Sequence, residues 1–504
     1  MIVHVNTFGL SGIKGFFVNA EVNLSKGLPY FDVIGMGNTA VKESADRIKP
    51  ALENSGYTFP LGRITVNLAP ASIKKEGSYF DLAVAIGILK CTGVISNSIK
   101  DFSFIGELSL DGCIRPVKGI LPMIQASLSQ GIKKCIVPIE NANEAALIEK
   151  CDIFPSATIK EAINIINYNS KSWKRFDISN LDFENYPDFS DIRGQHAAVR
   201  AAEISAAGGH NILFMGAPGC GKTMIASRIP GIMPDLTDDE AMEVTPVYSV
   251  LGLLNNNSEL IKRVPFRTVY PDVSKAGLIG GGFRPIPGEI SLAHKGILFL
   301  DELAEFNRNT IQSLRQPIEN KRVLISRCGD FVEFPSDFLL VAATNPCRCG
   351  KLLEGNDKCT CSIHQAKQYL SKISKPILDR IDLHVPVRQV SFYDLDKCDS
   401  TYKIKGRVLE ARERQKYRYK NLNCSVNGRL SNKEINIYCN ISNDSEQLLK
   451  EAAQNNCISM RAFDKCIKIA RTIADLDGRD IIKKDDIAEA LQYRFLDTFS
   501  AEAI

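Results

Sequence analysis

The sequence predicts an α/β protein with an α+β amino-terminal domain, a central α/β domain with a parallel sheet, and an all-α carboxy-terminal domain. The glycine-rich segment Gly216–Thr223 follows the apolar run Ile212–Met215, as in a strand that leads through a loop into a helix. A second apolar run ends in the carboxylates Asp301 and Glu302. Residues 1–165 alternate short β-branched segments with helical ones, which indicates a separate domain.

The glycine-rich segment fits the pattern G-x-x-x-x-G-K-[ST] at every fixed position, and it reads Gly216-Ala217-Pro218-Gly219-Cys220-Gly221-Lys222-Thr223. Glycines allow backbone N–H groups to close around phosphate oxygens. We therefore predict an ATP site in which Lys222 reaches the terminal phosphates and the Thr223 hydroxyl holds Mg²⁺. Asp301 would complete the magnesium site and Glu302 would polarise the attacking water. The alternative, a glycine-rich turn with a chance lysine, does not account for the two acids.

Length and composition narrow the class of protein. The 504 residues are too many for one core and indicate about three domains. The net charge of +4 is too small to indicate nucleic-acid binding by itself. Met1–Asn6 has no features of a secretory signal, and the best apolar run, Leu82–Leu89, is too short to span a membrane. The fifteen scattered cysteines then favour a reducing cytoplasm, in which clustered cysteines are metal ligands rather than disulfides.

The amino-terminal domain contains clear candidate elements. Ile64–Leu68 and Cys135–Pro138 are predicted to be strands, and Asp81–Leu89 a buried helix. Residues 166–188 are polar and irregular, which predicts a linker.

Three segments of this domain resemble the proteolytic domain of Lon-type proteases: Gly106–Gly112, Arg115–Gly119 and Gly131–Pro138. The catalytic serine–lysine dyad does not carry over, because Tyr79 stands at the serine position and Met123 at the lysine position. A serine hydroxyl needs an adjacent base to attack an amide. We therefore expect a scaffold without protease chemistry, and a shifted pair of Ser78 and Lys118 is the alternative.

The central domain, residues 189–395, begins near Asp191–Gln195 and continues into the alanine-rich helix Ala197–Ala207. Its glycine- and proline-rich stretch Gly277–His294 predicts a mobile loop before the acidic strand. With these motifs the whole chain resembles the magnesium-chelatase-like AAA+ ATPases of the ComM/YifB type, which join a Lon-like domain to a chelatase-like motor. The resemblance implies that Asp191–Gln195 lies against the adenine.

Three further site residues follow from the same resemblance. Asn345, after the apolar strand Leu339–Thr344, would be the first sensor and would orient the attacking water. Arg461 would be the second sensor and would contact the γ-phosphate from a helical lid. Arg380 would be an arginine finger that reaches the ATP of a neighbouring subunit, so that the active form would be a homo-oligomer, with a hexamer expected. The alternative for Arg380 is an intrachain salt bridge to one of its flanking aspartates, Asp379 or Asp382.

Alternating apolar residues in Val323–Arg327 and Phe331–Phe334 predict a β-hairpin around Cys328-Gly329-Asp330. In this clade such a hairpin points into the ring pore, where it grips a polymer or partner. Arg322 and Arg327 are therefore candidate pore residues, and the alternative is an exposed hairpin with solvated arginines.

Two C-x-C pairs, Cys347/Cys349 and Cys359/Cys361, bracket a polar loop. Such pairs can place four thiolates around one tetrahedral zinc ion, and the family carries similar cysteines at this point. We predict a structural zinc site without an open position for catalysis. His364 is a substitute ligand, and reduced, unligated cysteines are the alternative.

Residues 396–420 predict a basic connecting helix, and residues 421–504 a helical lid with a Ser459 cap and a second helix over Asp486–Arg494. The segment from Lys403 to Lys420 contains eight basic and only two acidic residues, and Tyr417 and Tyr419 lie between basic residues. This strip could contact the phosphates of single-stranded or branched DNA. A solvated helix that links motor and lid is the alternative.

The resemblance implies an oligomeric, ATP-driven motor that acts on DNA, because ComM-type proteins are associated with natural transformation and branch migration by a hexameric helicase. A chelatase-like or protein-remodelling ATPase is the second hypothesis, and an ATP-dependent protease the third. The missing dyad disfavours the protease, while the Lon-like domain and the cysteine loop disfavour a plain chelatase subunit. Val269-Tyr270-Pro271 departs from the family, in which many members have Pro-His-His after Phe-Arg.

Overall fold

A computed structural model of the chain describes residues 1–496 with gaps at 36–37, 74, 76, 169–171, 174–185, 255–258, 283–284, 328–329, 355–358, 391–395, 423 and 455–458. The side chains of residues 38–42, 327 and 330 also lie outside the description. Contacts divide the chain into two compact units. Unit 1 comprises residues 1–182 and 238–261, and unit 2 comprises residues 183–237 and 262–504. Most of the predicted linker, 166–188, lies outside the described residues.

Unit 1 is a mixed sheet with helices, and its elements are β1 (Ile2–Ser11), β2 (Lys14–Ser25), β3 (Tyr30–Ile34), α1 (Asn38–Asn54), β4 (Arg63–Ala69), α2 (Asp81–Cys91), β5 (Phe102–Phe104), β6 (Glu107–Leu108), β7 (Ile114–Arg115), α3 (Ile120–Ser129), β8 (Lys134–Pro138), α4 (Ala142–Ala145), β9 (Asp152–Ser156), α5 (Ile159–Tyr168) and α9 (Asp238–Leu251). The seven-stranded sheet has the order β3-β4-β2-β1-β5-β8-β9. Strand β2 is antiparallel to both of its neighbours, and the other neighbouring pairs are parallel. The predicted strands at 64–68 and 135–138 are confirmed as β4 and β8.

Helix α2 forms the centre of the unit 1 core, and every residue from Asp81 to Leu89 is buried. Gly87 lets the helix approach the sheet closely, since a Cβ there would lie 2.4 Å from Val22 Cγ2. The longest apolar run of the sequence is therefore a core helix. No helix within the described ranges is both long and apolar enough to cross a membrane.

Helix α9 lies between two parts of the motor sequence but packs within unit 1. The backbone N–H of Gly119 donates to the carbonyl of Ser249 at 3.0 Å. The Ser249 hydroxyl donates to the carboxylate of Glu144, whose pKa is raised by burial. This contribution from residues 238–261 could not be predicted from the sequence, because it depends on contacts between segments that are distant in the chain.

Unit 2 joins a parallel sheet to a helical region, and its elements are α6 (His196–Gly208), β10 (Ile212–Gly216), α7 (Lys222–Ala226), α8 (Ile229–Ile232), β11 (Phe266–Val269), α10 (Lys275–Ile279), β12 (Gly280–Gly281), β13 (Ile286–Pro287), α11 (Glu289–Leu292), β14 (Ile297–Leu300), α12 (Arg308–Gln312), α13 (Arg315–Asn320), β15 (Arg322–Arg327), β16 (Asp330–Pro335), β17 (Leu339–Thr344), α14 (Ile363–Leu370), α15 (Lys375–Leu378), β18 (Leu383–Val387), α16 (Thr401–Arg418), α17 (Asn432–Tyr438), α18 (Asn443–Gln454), α19 (Met460–Leu476) and α20 (Lys484–Gln492). Its five-stranded sheet has the order β11-β14-β17-β10-β18, and all neighbouring pairs are parallel. Strands β10, β14 and β17 are completely buried, which explains their continuous apolar sequences.

Several sequence predictions for unit 2 are confirmed. The hairpin is β15 and β16, and the Ser459 hydroxyl caps α19 by accepting from the Ala462 N–H. The stretch 277–294, expected to be a loop, instead contributes to α10, the β12–β13 pair and α11, with residues 283–284 outside the description. The finer boundaries at 189, 395, 420 and 421 remain predictions.

Candidate nucleotide-binding site

The predicted phosphate loop connects β10 to α7 at the carboxyl end of the sheet. Gly219 (φ 78°) and Gly221 (φ 95°) both adopt left-handed backbone conformations that residues with a Cβ rarely adopt. Helix α7 begins at Lys222 directly after this turn. The glycine spacing of the motif is therefore a backbone requirement of the loop.

Parallel strands bring the two downstream motifs to the same edge as the loop. Strand β17 lies between β14 and β10, so the residues that follow all three strands converge. The Lys222 ammonium donates to the carbonyls of Gly216 and Ala217, both at 2.8 Å, and to Asn345 Oδ1 at 3.2 Å. The Thr223 hydroxyl donates to Asp301 Oδ2 at 3.1 Å. Burial lowers the pKa of Lys222, which the nearby carboxylate of Asp301 partly counteracts.

Glu302 has a left-handed backbone (φ 54°, ψ 46°) although it is not glycine. Such a conformation costs roughly 1 kcal/mol for a residue with a Cβ and is enriched at functional sites. The Glu302 N–H donates to Asp301 Oδ1 at 3.0 Å, so the turn after β14 also orients the Asp301 carboxylate.

Two contacts with the phosphate loop were not predicted. The side-chain amide of Gln195 donates to the carbonyls of Cys220 (3.2 Å) and Arg388 (2.7 Å), which ties the loop to the end of β18. A Cβ added to Gly350, in the cysteine-rich loop, would lie 2.4 Å from Cδ of Pro218. Gln195 belongs to the predicted pre-loop segment, but its contacts with Cys220 and Arg388 have no sequence pattern. The contact between Gly350 and Pro218 could not be predicted either, because the two residues are far apart in the chain.

The four predicted cysteines form one cluster, with all sulfur atoms within 4.8 Å of one another. Cys347 Sγ lies 3.4 Å from Cys349 Sγ and 3.8 Å from Cys359 Sγ, and the latter two sulfurs are 3.5 Å apart. Four thiolates bound at about 2.3 Å in a tetrahedron would be about 3.8 Å apart, so the donor set fits zinc. Within the described residues, the metal-ligand cluster comprises only these cysteines and does not include His364.

The pKa values of two of these thiols are shifted in opposite directions. Burial raises the pKa of Cys347 to about 12, whereas the backbone N–H of Lys351 contributes most to lowering the pKa of Cys349 to about 5. An N–H group aimed at a sulfur favours the thiolate, which is the form that binds a metal.

Arg380 pairs with neither of the aspartates that the alternative named. Its guanidinium forms an ion pair with Glu319 of α13, and Nη1 donates to the Pro376 carbonyl at 2.5 Å. Asp379 instead lies 3.9 Å from Arg461, and Asp382 lies 2.8 Å from Lys465. Both aspartates that flank Arg380 therefore contact helix α19.

Arg461 is 79% exposed at the start of α19, and the ion pair with Asp379 is its described contact. The hairpin residue Arg322 is also exposed and lies 3.5 Å from Glu333 on the paired strand. Leu324 (63%) and Phe331 (69%) are exposed on the same hairpin. The side chain of Arg327, the second candidate pore residue, lies outside the described residues.

The basic strip of α16 is largely engaged within unit 2 rather than solvated. Arg407 pairs with Glu203 and Asp399, and Arg418 pairs with the buried Asp475. The remaining described contacts are Lys403–Asp399, Lys405–Asp235, Arg412 with the Ala206 carbonyl, and Arg414 with Glu410 and the Asp475 carbonyl. Tyr419 is buried, whereas Tyr417 is exposed. The strip is therefore only partly solvated, and most of its charges already have acidic partners within unit 2.

In unit 1 the residues at the protease positions show no dyad. Met123 is fully buried in α3, and the Tyr79 ring packs against Phe80 with centroids 5.9 Å apart. The Ser78 hydroxyl donates to the Glu107 carboxylate rather than to a lysine.

A parallel sheet, a glycine-rich phosphate loop and acidic and amide groups at the adjacent strand ends define a P-loop ATPase of the AAA+ class. Family models described as "Magnesium chelatase, subunit ChlI", "Subunit ChlI of Mg-chelatase" and "Magnesium chelatase, subunit ChlI C-terminal" match residues 188–395, 20–141 and 398–494. The chain is 39% identical to competence protein ComM of Haemophilus influenzae over 495 residues, covering 96% of this chain and 95% of the relative. It is 38% identical to the uncharacterized protein YifB of Escherichia coli over 500 residues, covering 98% and 97%. The chain belongs to the ComM/YifB-type family of magnesium-chelatase-like proteins.

The Lon resemblance has a narrower basis. The chain is 29% identical to Lon protease 2 of Bacillus subtilis over 133 residues, which is 25% of this chain and 23% of that protein. Membership of the AAA+ family implies ATP and Mg²⁺ as the ligands of the site.

Proposed function

We propose that this protein is an oligomeric, ATP-hydrolysing motor that acts on DNA, as a helicase or branch-migration factor that supports recombination during natural transformation. The observation that carries the proposal is the similarity, over nearly the whole chain, to a protein named for competence. The geometry of the ATP site and the exposed hairpin of unit 2 support it further.

The contacts at the strand ends suggest how each residue contributes to hydrolysis. Lys222 would exchange the carbonyls of Gly216 and Ala217 for phosphate oxygens, because an ammonium within reach of an anion gains more than from a neutral carbonyl. Thr223 and Asp301 place two oxygen ligands together, which fits Mg²⁺. When bound, Mg²⁺ would neutralise charge that develops on the phosphate oxygens.

Glu302 and Asn345 would act on the attacking water. Asn345 follows β17, the neighbour of β10, and Glu302 follows β14 on the other side of β17, while Asn345 already contacts Lys222. Glu302 would accept a proton from the water as it attacks the γ-phosphate, and Asn345 would orient it. Arg461 would contact the γ-phosphate from the lid.

Arg380 would serve the ATP of a neighbouring subunit in a homo-oligomer, with a hexamer as the proposed form. In this chain Arg380 pairs with Glu319 on α13 and makes no described contact with the phosphate loop, Asp301 or Asn345. A guanidinium supplied across an interface stabilises charge in the transition state, and the absence of that group lowers rates by roughly 10³- to 10⁵-fold in GTPases.

A structural zinc ion would be held by Cys347, Cys349, Cys359 and Cys361. It would fix the loop whose Gly350 packs against Pro218, and so would restrain the phosphate loop from outside. We also propose a cytoplasmic location, from the pattern of cysteine use.

Contacts with DNA are proposed for the β15–β16 hairpin rather than for α16. The exposed Leu324, Phe331 and Arg322 can contact bases and phosphates of a strand in the ring pore. Helix α16 is a weaker candidate, because most of its cations already have partners in the same unit.

A chelatase-like or remodelling ATPase that acts on a protein is the second candidate, and the matches to chelatase subunit models favour it. Steady-state ATPase activity with single-stranded, duplex and branched DNA separates the two. We expect stimulation by DNA and strand displacement or branch migration, with Lys222→Ala and Glu302→Gln as inactive controls. Unchanged ATPase activity with all three DNAs, together with no strand displacement, would reject the DNA motor and favour the second candidate.

A further inference from the structure

A cluster of cations surrounds one carboxylate at the end of the unit 2 sheet opposite the phosphate loop. Asp337 lies just before β17, and its carboxylate is 2.6 Å from Arg429 Nη2, 3.6 Å from Lys295 Nζ and 3.8 Å from Lys321 Nζ. Lys295 precedes β14, and Arg429 ends the 3₁₀ turn Asn427–Arg429. Three elements distant in the chain therefore bring positive charge to the same place.

Three cations lie around this carboxylate, and the nearest of them, Arg429, also donates to the Phe338 carbonyl at 3.3 Å. The Lys321 ammonium has three donors, yet within the described part of the chain its nearest partner is Asp337 Oδ1 at 3.8 Å, beyond hydrogen-bond distance. Lys321 is nevertheless 40% exposed, so an anion from solution can reach it. Burial and the charge of Arg429 lower the pKa of this ammonium, which a further anion would reverse.

The backbone is also arranged to present the two lysines. Lys295 (φ 56°) and Lys321 (φ 57°) are two of the three non-glycine residues with left-handed backbones in the described ranges, and the third is Glu302. The Lys295 N–H donates to the Asp337 carbonyl at 2.6 Å, and the Lys321 carbonyl accepts from the Ser336 N–H at 2.9 Å. Left-handed residues cost free energy and persist where the surroundings hold them, often at functional positions.

This cluster lies at the base of the hairpin proposed to contact DNA. Lys321 immediately precedes β15, and Asp337 follows β16 by two residues. We propose that Lys295, Lys321 and Arg429 form a binding site for a backbone phosphate of DNA, with Asp337 as the internal anion that holds the cations together when DNA is absent. This site, here called the hairpin-base site, rests on the proposed function.

The chemistry of the site suits a phosphate of a polymer that runs along the hairpin. Arginine presents a planar fork to phosphate oxygens, and lysines add mobile point charges. A phosphate that enters between Lys321 and Arg429 supplies the acceptors that the Lys321 ammonium lacks. Because contacts with phosphates carry no base information, the site contributes affinity and salt dependence rather than sequence preference.

The test measures binding of a fluorescent single-stranded oligonucleotide to the full chain by anisotropy over a series of KCl concentrations. Lys321→Met is expected to weaken binding several-fold and to reduce the slope of log K against log [salt] by about 0.7, the value for one lost phosphate contact on single-stranded DNA. Asp337→Asn is expected to act in the opposite direction, with tighter binding, because an internal competitor is neutralised while a hydrogen-bond acceptor remains. The matched control is Lys416→Met, which removes an exposed lysine of α16.

A purely structural cluster predicts a different pattern, in which Lys321→Met and Asp337→Asn both lower the melting temperature and neither changes the salt slope. That result would overturn the inference while leaving the proposed function intact. A smaller salt slope of DNA binding in Lys416→Met, with an unchanged slope in Lys321→Met, would also overturn the inference. If inorganic phosphate raised the melting temperature of the wild type but not of Lys321→Met, while both proteins bound DNA equally well, that result would overturn the inference and assign the site to a free anion. Wild-type protein that does not bind DNA at all would overturn both the inference and the proposed function.

Discussion

The ammonium of Lys465 in α19 lies 2.8 Å from the carboxylate of Asp382, two residues beyond Arg380. Lys465 also donates to the carbonyl of Ile381 at 3.0 Å. One turn earlier on the same helix, Arg461 lies 3.9 Å from Asp379. The helix that carries the predicted second sensor therefore contacts both sides of the predicted arginine finger. A shift of the lid that accompanies nucleotide binding would be transmitted to Arg380 through these contacts.

We expect Lys465→Met to lower kcat for ATP about tenfold or more while changing KM little, because the finger segment would lose its shortest ion pair with the lid. Asp382 is only 15% exposed, and an unpaired carboxylate at such a site costs on the order of 1–3 kcal/mol of stability. Lys465→Arg is the matched control and is expected to restore kcat. Steady-state kinetics together with urea unfolding measure both effects. A folded Lys465→Met protein with wild-type kcat would show that the contact is structural only.

Arg380 gives a prediction about assembly. Lys222→Ala protein lacks a working phosphate loop but retains its finger, whereas Arg380→Ala protein has the reverse defect. If the finger acts on the neighbouring subunit, a mixture of the two inactive variants is expected to regain part of the wild-type ATPase activity. Activity of mixtures at varied ratios checks this, with each variant alone as the control. A mixture that stays as inactive as its components would place Arg380 in its own subunit's site or outside catalysis.

Zinc is expected at about one equivalent per chain after purification without chelator. Cys349→Ser and Cys359→Ser are expected to lose the metal, because each removes one of four ligands that lie within 4.8 Å of one another. Their ATPase activity should also fall, since Gly350 of this loop packs against Pro218. Cys113→Ser, at an exposed cysteine of unit 1, is the matched control and should keep both metal and activity. Metal analysis well below one equivalent in the wild type would contradict the prediction.

His210 makes stability depend on pH in the mildly acid range. Complete burial lowers its pKa to about 4 from 6.5, and its ring contacts the Thr472 hydroxyl at 2.8 Å. Well above pH 6.5 the residue is neutral in both the folded and the unfolded state, and it has no effect on the pH dependence. As the pH falls from 6.5 towards 4, the unfolded state takes up a proton that the folded state does not, so stability falls by up to about 3 kcal/mol.

Urea unfolding at pH 7 and pH 5 measures this loss. His210→Asn, which has no group that titrates in this range, is expected to be less stable at pH 7 but to lose less stability between the two pH values. An equal loss in wild type and variant would assign the acid sensitivity to other groups, such as the carboxylate of Asp382. Burial acts to raise the pKa of Asp382, but the charges of Lys465 and His210 and the hydrogen bonds from Lys465 and Asn211 together lower it.

The elements around the ATP site could be predicted because their signals are local. The fixed positions of the phosphate loop, the apolar strands before Asp301 and Asn345, and the rule that parallel strands end at one edge together specify which residues meet. The four cysteines were predictable for the same reason, since each pair is contiguous in sequence. What could not be predicted depends on long-range pairing. The ion pair of Arg380 with Glu319, the partners of α16 in α6 and α19, and the left-handed backbones of Lys295 and Lys321 have no sequence pattern.

The position of helix α9 limits which segments of this protein can be exchanged between relatives by recombination. It packs in unit 1, through Ser249 and Gly119, but is encoded between the phosphate loop and the acidic strand. A recombination event that exchanged residues 1–182 between relatives would therefore leave the recipient's own residues 238–261 against a foreign partner. An exchange that keeps unit 1 intact has to replace both segments, 1–182 and 238–261, together, so the two units should share a common ancestry along the chain rather than assort as separate modules.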